Sequence, residues 1–331
     1  MRPKPRGSPD GSTMIGRWVR FALWRPFELS CRKFPLIPLR ARVSQPYEHV
    51  RLIQISNVVT RAITALGGGY EYSVCYVIDD ELLVDTGFPW AARRFRQTMH
   101  ELELDGRIHT IVNTHAHEDH TGNNDVVMES NEVTVLAHAQ AIPHIRHPAD
   151  LPWYRHFMFG PPRPVPVQEL PSVIRTRHCE LRIVHTPGHT PGHICVFEPN
   201  RGWLFSGDLF VSASLDSQLR EVDGPAWIRS LDVAIELEPR VLFDGHGKVV
   251  EGASKIGELL RRKRDFLREL ERRVLAAASE AKSIREITRE VFGEKGFVNA
   301  ASFGDGWLSL LTASDFSRSH VVESFLREDK A

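Results

Sequence analysis

Four side chains that commonly bind metal ions lie close together in the segment from Thr114 to His120, which runs Thr-His-Ala-His-Glu-Asp-His. The segment directly follows an apolar stretch with the pattern of a β-strand. Imidazole nitrogens suit zinc and similar ions, and a carboxylate suits a second ion beside the first. In a tight turn, His115 and His117 can point to one ion while Asp119 and His120 reach another. The spacing therefore predicts a metal site rather than a set of solvated loop histidines.

Further polar residues stand where other predicted strands end. His185, His189 and His193 are separated by two Thr-Pro-Gly runs, whose sharp turns let a histidine project from the end of a sheet. Asp208 ends the sequence Ser-Gly-Asp after one apolar strand, and His246 ends Asp-Gly-His after another. Each short motif is weak evidence alone. Because α/β proteins assemble sites at strand ends, the ordered series predicts one composite site.

The elements that must position these residues alternate along the chain. From about residue 47, short β-branched runs and amphipathic segments follow one another in the manner of a layered α/β domain. Residues 47–252 are therefore predicted to form the catalytic domain. Within it, the proline-rich and aromatic segment 142–168 is expected to cover the site as a lid. Its apolar wall would be formed by Trp153, Tyr154, Phe157, Met158 and Phe159.

The last part of the chain has a different pattern. Apolar residues recur at helical spacing, and the run from Ser283 to Glu286 has the sequence of a capping box that opens a helix. Residues 253–331 are therefore predicted to form a small all-helical subdomain. The basic run Arg-Arg-Lys-Arg at 261–264 is expected on the polar side of a long helix, where it would face solvent or contact phosphates.

The N-terminal segment holds an excess of positive charge. Ten Lys/Arg and three Asp/Glu stand in the first 50 residues, although the formal net charge of the chain is zero. Residues 1–46 are predicted to form a basic, partly disordered arm, whose aromatic residues pack on the main domain or lie on an acidic membrane surface. Arginines interrupt its apolar run, which is not typical of a secretory signal, so a cytoplasmic location is expected.

The composition excludes several classes of protein. The chain has 331 residues, of which 42% are hydrophobic and 25% charged, so it is not collagen-like, coiled-coil or wholly disordered. Integral membrane association is not expected, because no run approaches the roughly 18 apolar residues of a membrane span. The four cysteines are widely spaced, which argues against a disulfide framework and a cysteine zinc finger. The zero net charge offers no global sign of a nucleic-acid partner.

The ordered motifs resemble those of metallo-β-lactamase-fold hydrolases, the superfamily that includes the glyoxalase II type enzymes. The matching runs are Val-Asp-Thr-Gly at 84–87, His-Ala-His-Glu-Asp-His at 115–120, Thr-Pro-Gly-His at 186–189, Ser-Gly-Asp at 206–208 and Gly-His at 245–246. The resemblance covers residues 47–252. It implies a four-layer αβ/βα sandwich of the α/β class with a dinuclear metal site at one edge.

The same resemblance implies a role for each site residue. The first metal would be held by His115, His117 and His189. The second would be held by Asp119, His120 and His246, with Asp208 bridging both. Asp85 would orient the ligand loops by hydrogen bonds, and His185 and His193 would support the ligands or the structure. The histidines expected not to bind metal are His109, His138, His144, His147 and His156.

These assignments predict a reaction class. Two metal ions about 3.5–4 Å apart can share a hydroxide that acts as a nucleophile near neutral pH. Asp119 would orient that hydroxide and pass a proton to the leaving atom, which makes it the expected catalytic residue. The expected cofactor is Zn²⁺, two ions per chain, with Fe or Mn as alternatives. The predicted activity is hydrolysis of a small ester, thioester or lactone.

Two other activities stay open at this point. The helical C-terminal part resembles that of β-lactamase-like endoribonucleases, so an endoribonuclease or another phosphodiesterase is one alternative. A persulfide dioxygenase with a single iron is the other, since it would have similar ligands. A small-molecule substrate is the predicted partner, ahead of nucleic acid. The sequence makes no prediction about the oligomeric state.

Overall fold

A computed structural model describes residues 38–65, 69–214, 217–280, 282–293, 312 and 315–327, and the structural statements below concern these residues. The first sheet has seven strands, paired in the order of the sequence: β1 Leu39–Tyr47, β2 Val50–Asn57, β3 Ser73–Ile78, β4 Leu82–Val84, β5 Thr110–Val112, β6 Thr134–Ala137 and β7 Gln168–Glu169.

The second sheet has six strands: β8 Val173–Arg175, β9 Glu180–His185, β10 Ile194–Glu198, β11 Trp203–Gly207, β13 Val241–Asp244 and β14 Val249–Glu251. They pair in the order β14-β13-β11-β10-β9-β8. A two-stranded sheet is formed by β12 Gln218–Leu219 and β15 Phe316–Ser317.

Helices occupy the connections between strands and the C-terminal part. In chain order they are α1 Val58–Ala65, α2 Ala92–Glu101, α3 Glu118–Thr121, α4 Asn124–Ser130, α5 Ile142–Arg146, α6 Trp153–Phe159, α7 Gly224–Glu236, α8 Ala253–Ala278, α9 Ile284–Phe292 and α10 Arg318–Leu326, with a 3₁₀ turn at Pro89–Ala91. None of the helices in the described ranges is long and apolar enough to cross a membrane.

The alternation of side chains along the strands creates three hydrophobic layers. Leu52 on β2 packs against the second sheet, whereas its neighbour Ile53 packs against the helices outside the first sheet. On β11, Phe205 faces the space between the sheets and Leu204 faces the helices outside the second sheet. Because successive strand residues point to opposite faces, apolar residues on both faces require cover on both sides. The predicted four-layer αβ/βα sandwich is confirmed.

The C-terminal part is mainly helical, as predicted. The capping box at Ser283 is present, since its side chain accepts from the backbone N–H of Glu286 and the Glu286 carboxylate accepts from the backbone N–H of Ser283. Two details differ from the expectation of a separate all-helical unit. The strand β15 pairs with β12, and α8, α9 and α10 share one hydrophobic cluster with the second sheet. The division into domains stays a prediction.

One boundary and one surface assignment also differ from the sequence-based expectation. The first sheet begins at Leu39, eight residues before the predicted start of the catalytic domain at residue 47, because β1 pairs along its length with β2. The remainder of that arm, residues 1–37, lies outside the described residues. In the basic run at 261–264, Lys263 is buried rather than on the polar side of α8. It stands in the same helical stripe as Leu260 and Leu267, which face the core.

Candidate metal centre

The carboxyl ends of strands in both sheets meet at one edge of the sandwich. In the first sheet, the parallel strands β4 and β5 end beside each other, so Asp85 and the segment 115–120 emerge together. In the second sheet, the parallel strands β11 and β13 bring Asp208 and His246 to the same edge. The loop between the antiparallel strands β9 and β10 adds His189. Strand direction thus explains why residues far apart in the chain form one site.

Three histidine nitrogens converge to form the first group of donors. His115 Nε2 lies 3.0 Å from His117 Nδ1, and His189 Nε2 lies 3.1 Å from the same His117 atom. Two imidazole ligands of a tetrahedral zinc ion would stand about 3.4 Å apart, given Zn–N distances of about 2.1 Å. Burial lowers the pKa of His189 to about 3 and that of His115 well below its usual value. Both rings are therefore neutral, which is the form that binds metal.

The second group of donors surrounds the carboxylate of Asp208. His120 Nε2 lies 3.4 Å from Asp208 Oδ1 and 3.7 Å from Asp119 Oδ2. On the other side, His246 Nε2 and His189 Nε2 lie 3.3 Å and 3.5 Å from Asp208 Oδ2. Asp208 therefore stands between the two groups of donors, in the position expected of a bridging ligand.

Two buried atoms at the centre lack a hydrogen-bond partner among the described residues. They are His120 Nε2 and Asp208 Oδ1. An unsatisfied buried polar atom costs about 1–3 kcal/mol, and a metal ion would satisfy both atoms. Space around them is also preserved, because a Cβ on Gly245 would lie 2.2 Å from Asp208 Oδ1. The donors and the orphaned atoms fit divalent ions such as Zn²⁺, Fe²⁺ or Mn²⁺.

The charges at the centre compensate one another. Burial alone would lower the pKa of His120, but the carboxylates of Asp208, Asp119 and Asp85 raise it to about 10. Burial would raise the pKa of Asp208, yet His246 and His120 hold it well below its usual range. In the protein without metal, His120 therefore carries a proton. A metal ion would replace this proton, because metal-ligating histidines are neutral.

Asp85 lies directly behind His120. Its Oδ2 accepts a hydrogen bond from His120 Nδ1 at 2.8 Å, and its carboxylate also accepts from the backbone N–H and the hydroxyl of Thr114. The Nδ1 proton is thus committed to Asp85, which leaves Nε2 directed at the donor group. Asp85 has a φ of +60°, a strained conformation for a residue with a Cβ, and strain of this kind occurs at functional sites.

The two remaining histidines of the Thr-Pro-Gly region lie in different surroundings. His193 is buried, and its Nε2 accepts from the backbone N–H of Asp208 at 3.0 Å, so it holds Asp208 from behind. His185 is exposed, stacks on His138 with ring centroids 3.9 Å apart, and bonds to the carbonyl of Pro191. These contacts fit the structural one of the two roles expected for His185, because neither partner is a donor residue.

Two residues that the sequence did not single out contact the donors. Glu221 Oε1 lies 2.6 Å from His117 Nε2, on the side of the ring opposite Nδ1. The hydroxyl of Tyr70 donates to Asp119 Oδ2 at 2.7 Å, and its ring stacks on His246 at 3.3 Å. Both residues come from loops remote in sequence from their partners, so no local pattern could have indicated them.

The predicted lid contains α6, which is held close to the centre. The backbone carbonyls of His156 and Met158 accept hydrogen bonds from side chains of the first half of the domain, and Arg155 forms a two-pronged ion pair with Glu118. Of the expected apolar wall, Phe159 is buried. Trp153 and Phe157 are 63% and 55% exposed. Segment 142–168 therefore exposes aromatic side chains on α6, and its role as a lid stays a prediction.

Comparison with known proteins agrees with this fold. The family model described as the metallo-beta-lactamase superfamily matches residues 68–255, which is more than half of the chain, so the chain belongs to this superfamily. The Beta-lactamase domain protein from Burkholderia ambifaria has the same fold, with a TM-score of 0.61 and 17% sequence identity over 86% of this chain and 87% of that one.

Curated relatives are similar over shorter stretches. The Beta-lactamase-like protein 2 homolog of Drosophila melanogaster is 32% identical over 158 residues, which cover 44% of this chain and 46% of that protein. The Acyl-coenzyme A thioesterase MBLAC2 of Gallus gallus is 29% identical over a stretch that covers 43% of this chain and 54% of that protein. The Hydroxyacylglutathione hydrolase of Nitrosococcus oceani is 33% identical over a stretch that covers 32% of this chain and 35% of that protein. The chain spans about half or less of these relatives, whose names support the predicted class of metal-dependent hydrolase.

Proposed function

We propose that the protein is a cytoplasmic, metal-dependent hydrolase with a dinuclear zinc centre that acts on a small thioester or a related ester or lactone. The observation that carries this proposal is the pair of donor groups that meet at Asp208. One group consists of three imidazole nitrogens, and the other combines imidazole with carboxylate. Between them stand the two orphaned atoms, His120 Nε2 and Asp208 Oδ1. Two donor groups favour two ions over the single iron of a persulfide dioxygenase.

When bound, the ions would activate water at neutral pH and polarise the substrate carbonyl. We assign the first ion to His115, His117 and His189, the second to Asp119, His120 and His246, and the bridge to Asp208. The donor set also suits iron or manganese, so the preference for zinc belongs to the proposal.

Asp119 is the proposed proton carrier of the reaction. Although burial raises it, the pKa of Asp119 is lowered overall by the charges of His120 and His246, so the carboxylate is ionised. It can accept a proton from the attacking water and deliver it to the leaving atom. Tyr70 holds this carboxylate through the hydrogen bond to Oδ2, so the direction of the proton transfer is set by a fixed side chain.

A thioester is preferred over RNA for three reasons. The names of two relatives, an acyl-coenzyme A thioesterase and a hydroxyacylglutathione hydrolase, denote removal of an acyl group from a thiol carrier. The basic run at 261–264 does not present four free cations, because Lys263 is buried and Arg264 pairs with Asp232 at 3.2 Å. The aromatic lid beside the site offers surface that an acyl chain could cover.

Metal content and a substrate panel test the proposal. We expect about two zinc ions per chain at the candidate metal centre, and hydrolysis of acyl-coenzyme A that exceeds cleavage of lactones and single-stranded RNA. In Asp208→Asn the rate should fall at least about 100-fold, because the bridging charge is lost. Asp232→Asn, a change of the same type on α7, should keep the rate. A single iron per chain with oxygen consumption on persulfides, or faster cleavage of RNA than of thioesters, would overturn the proposal.

A further inference from the structure

A second cluster of metal-ligating side chains lies at the opposite end of the sandwich. His49, Asp79 and His178, which we call the turn cluster, come from the β1–β2 turn, the β3–β4 turn and the β8–β9 hairpin. His49 Nδ1 lies 3.0 Å and His178 Nδ1 2.9 Å from the same oxygen, Asp79 Oδ1. Antiparallel pairing of β3 with β4 places Asp79 and Asp85 at opposite ends of the sheet, so the turn cluster is remote from the candidate metal centre.

The carboxylate of Asp79 is fixed before any ligand binds. It is 1% exposed, and its Oδ2 accepts from the hydroxyl of Thr176 at 2.5 Å and from the backbone N–H of His178 at 2.8 Å. Burial raises its pKa, but these hydrogen bonds lower it overall, so the group is an anion. With Oδ2 committed to donors, Oδ1 is the oxygen left to face the two imidazoles.

The two imidazole rings are arranged so that both Nδ1 atoms face one point. The rings stack with centroids 4.4 Å apart and planes 21° from parallel. Their side chains are 20% and 45% exposed, which leaves room for an ion to enter and for water to complete its coordination. A bound zinc ion would separate ligand atoms by about 3.3 Å, so the two distances from Nδ1 to Asp79 Oδ1 would lengthen by only a few tenths of an ångström.

We propose that His49, Asp79 and His178 form a further binding site for a divalent transition-metal ion, Zn²⁺ or an ion of similar preference. Two imidazoles and one carboxylate form a donor set that suits such ions and that hard ions such as Mg²⁺ do not prefer. An ion at this place joins turns of both sheets. The turn cluster is therefore a clamp that stabilises the sandwich at the end away from the candidate metal centre.

The experiment counts ions in matched variants of the full chain. Wild type, His178→Ala and His100→Ala are treated with chelator, dialysed against a small excess of Zn²⁺, and analysed for bound zinc per chain. His100 is the matched control, because its Nδ1 also bonds an aspartate, Asp105, at 2.8 Å, while His100 belongs to none of the metal-ligating groups in the described part of the chain. We expect wild type and His100→Ala to retain one ion more than His178→Ala.

A second variant and a second readout protect the test from misfolding. In His49→Gln, added Zn²⁺ should raise the thermal midpoint by less than in wild type. The zinc affinity of the turn cluster should fall at least as much as the 10–100-fold typical of mutations next to metal ligands. Equal zinc content and equal thermal shifts in all four proteins would overturn the proposal. Because each result is a difference between variants, it holds whatever number of ions the candidate metal centre binds.

Discussion

At the scale of single residues, several donors in the candidate metal centre are oriented by partners from distant parts of the chain. The carboxylate of Asp85 accepts a hydrogen bond from Nδ1 of His120, and the carboxylate of Glu221 accepts one from Nε2 of His117. An imidazole ring that is hydrogen-bonded through one nitrogen cannot rotate freely. Its other nitrogen is therefore directed at the metal position before a metal binds. This preorganisation makes two predictions about residues that are not proposed ligands.

Replacing Glu221 with glutamine should weaken metal binding. Burial would raise the pKa of Glu221, but His117 and His189 lower it to about 2, so the native group is a carboxylate at neutral pH. Its neutral replacement would polarise His117 less, and we expect metal affinity to fall about 10–100-fold. Competition with a chromogenic chelator measures the change. The exposed Glu236→Gln is the control, and equal affinities in both variants would contradict the assigned role.

Replacing Tyr70 with phenylalanine should lower kcat while metal content stays the same. The ring still stacks on His246, but Asp119 loses the hydroxyl that holds its Oδ2. Hydrogen bonds to charged groups contribute about 1.5–3 kcal/mol, which corresponds to about 10–100-fold in rate. Steady-state kinetics on the metal-loaded enzyme give the value. Tyr72→Phe, two residues further on, should behave as wild type; a similar loss there would show a general effect of the loop.

At the scale of elements, α8 combines an apolar stripe with one buried cation. Lys263 Nζ lies 4.3 Å from the ring centroid of Trp227 and 5.8 Å from that of Phe210, so aromatic faces replace a carboxylate partner. Trp227 in turn packs edge-on against His189, with ring centroids 5.6 Å apart. The helix therefore touches the metal centre through this tryptophan, and the buried amine has a measurable cost.

Lys263→Met should stabilise the protein, and more so at low pH. Burial lowers the pKa of Lys263 from 10.5 to about 7, so unfolding takes up a proton between these two values. Wild-type stability consequently rises from about pH 7 to 10.5, while the variant lacks this rise. We expect the gain in unfolding free energy to be large at pH 6 and to shrink towards pH 10. Urea unfolding at several pH values tests this, with the exposed Arg262→Met as control; a gap independent of pH would contradict it.

At the scale of the whole molecule, the proposed metal ligands come from both sheets. His115 to His120 follow a strand of the first sheet, while His189, Asp208 and His246 follow strands of the second. The backbone N–H of Ile194 also donates to the carbonyl of Thr114 across this edge. Metal ions at the centre would therefore connect the two halves of the sandwich, so their removal should affect the entire fold.

Removal of metal should lower the thermal midpoint. A ligand at 100 times its Kd stabilises the folded state by about 2.7 kcal/mol, which for a chain of this size corresponds to a shift of about 4 °C. Calorimetry with chelator and with added Zn²⁺ measures the shift in the His178→Ala background, so that the turn cluster does not contribute. The additional change Asp208→Asn should reduce the shift, and identical midpoints with and without metal would contradict the proposed centre.

Much of the fold and of the donor set follows from local sequence patterns. Alternating apolar residues predict strands with two covered faces, and polar motifs at four strand ends predict where the donors gather. These patterns are informative because strand direction and turn residues act over a few positions. The capping box at Ser283 is predictable for the same reason, since all of its atoms lie within four residues.

Tertiary packing decided what local patterns could not. His185 and His193 each flank a Thr-Pro-Gly run, but His185 ends the exposed side of β9 while His193 lies at the buried start of β10. Glu221 meets His117 across 104 positions, and Lys263 is buried because its helical face meets Trp227. Sequence alone determined the elements and the donor types, which depend on near neighbours. Partners and burial depend on how whole elements pack, and only the assembled sandwich defines them.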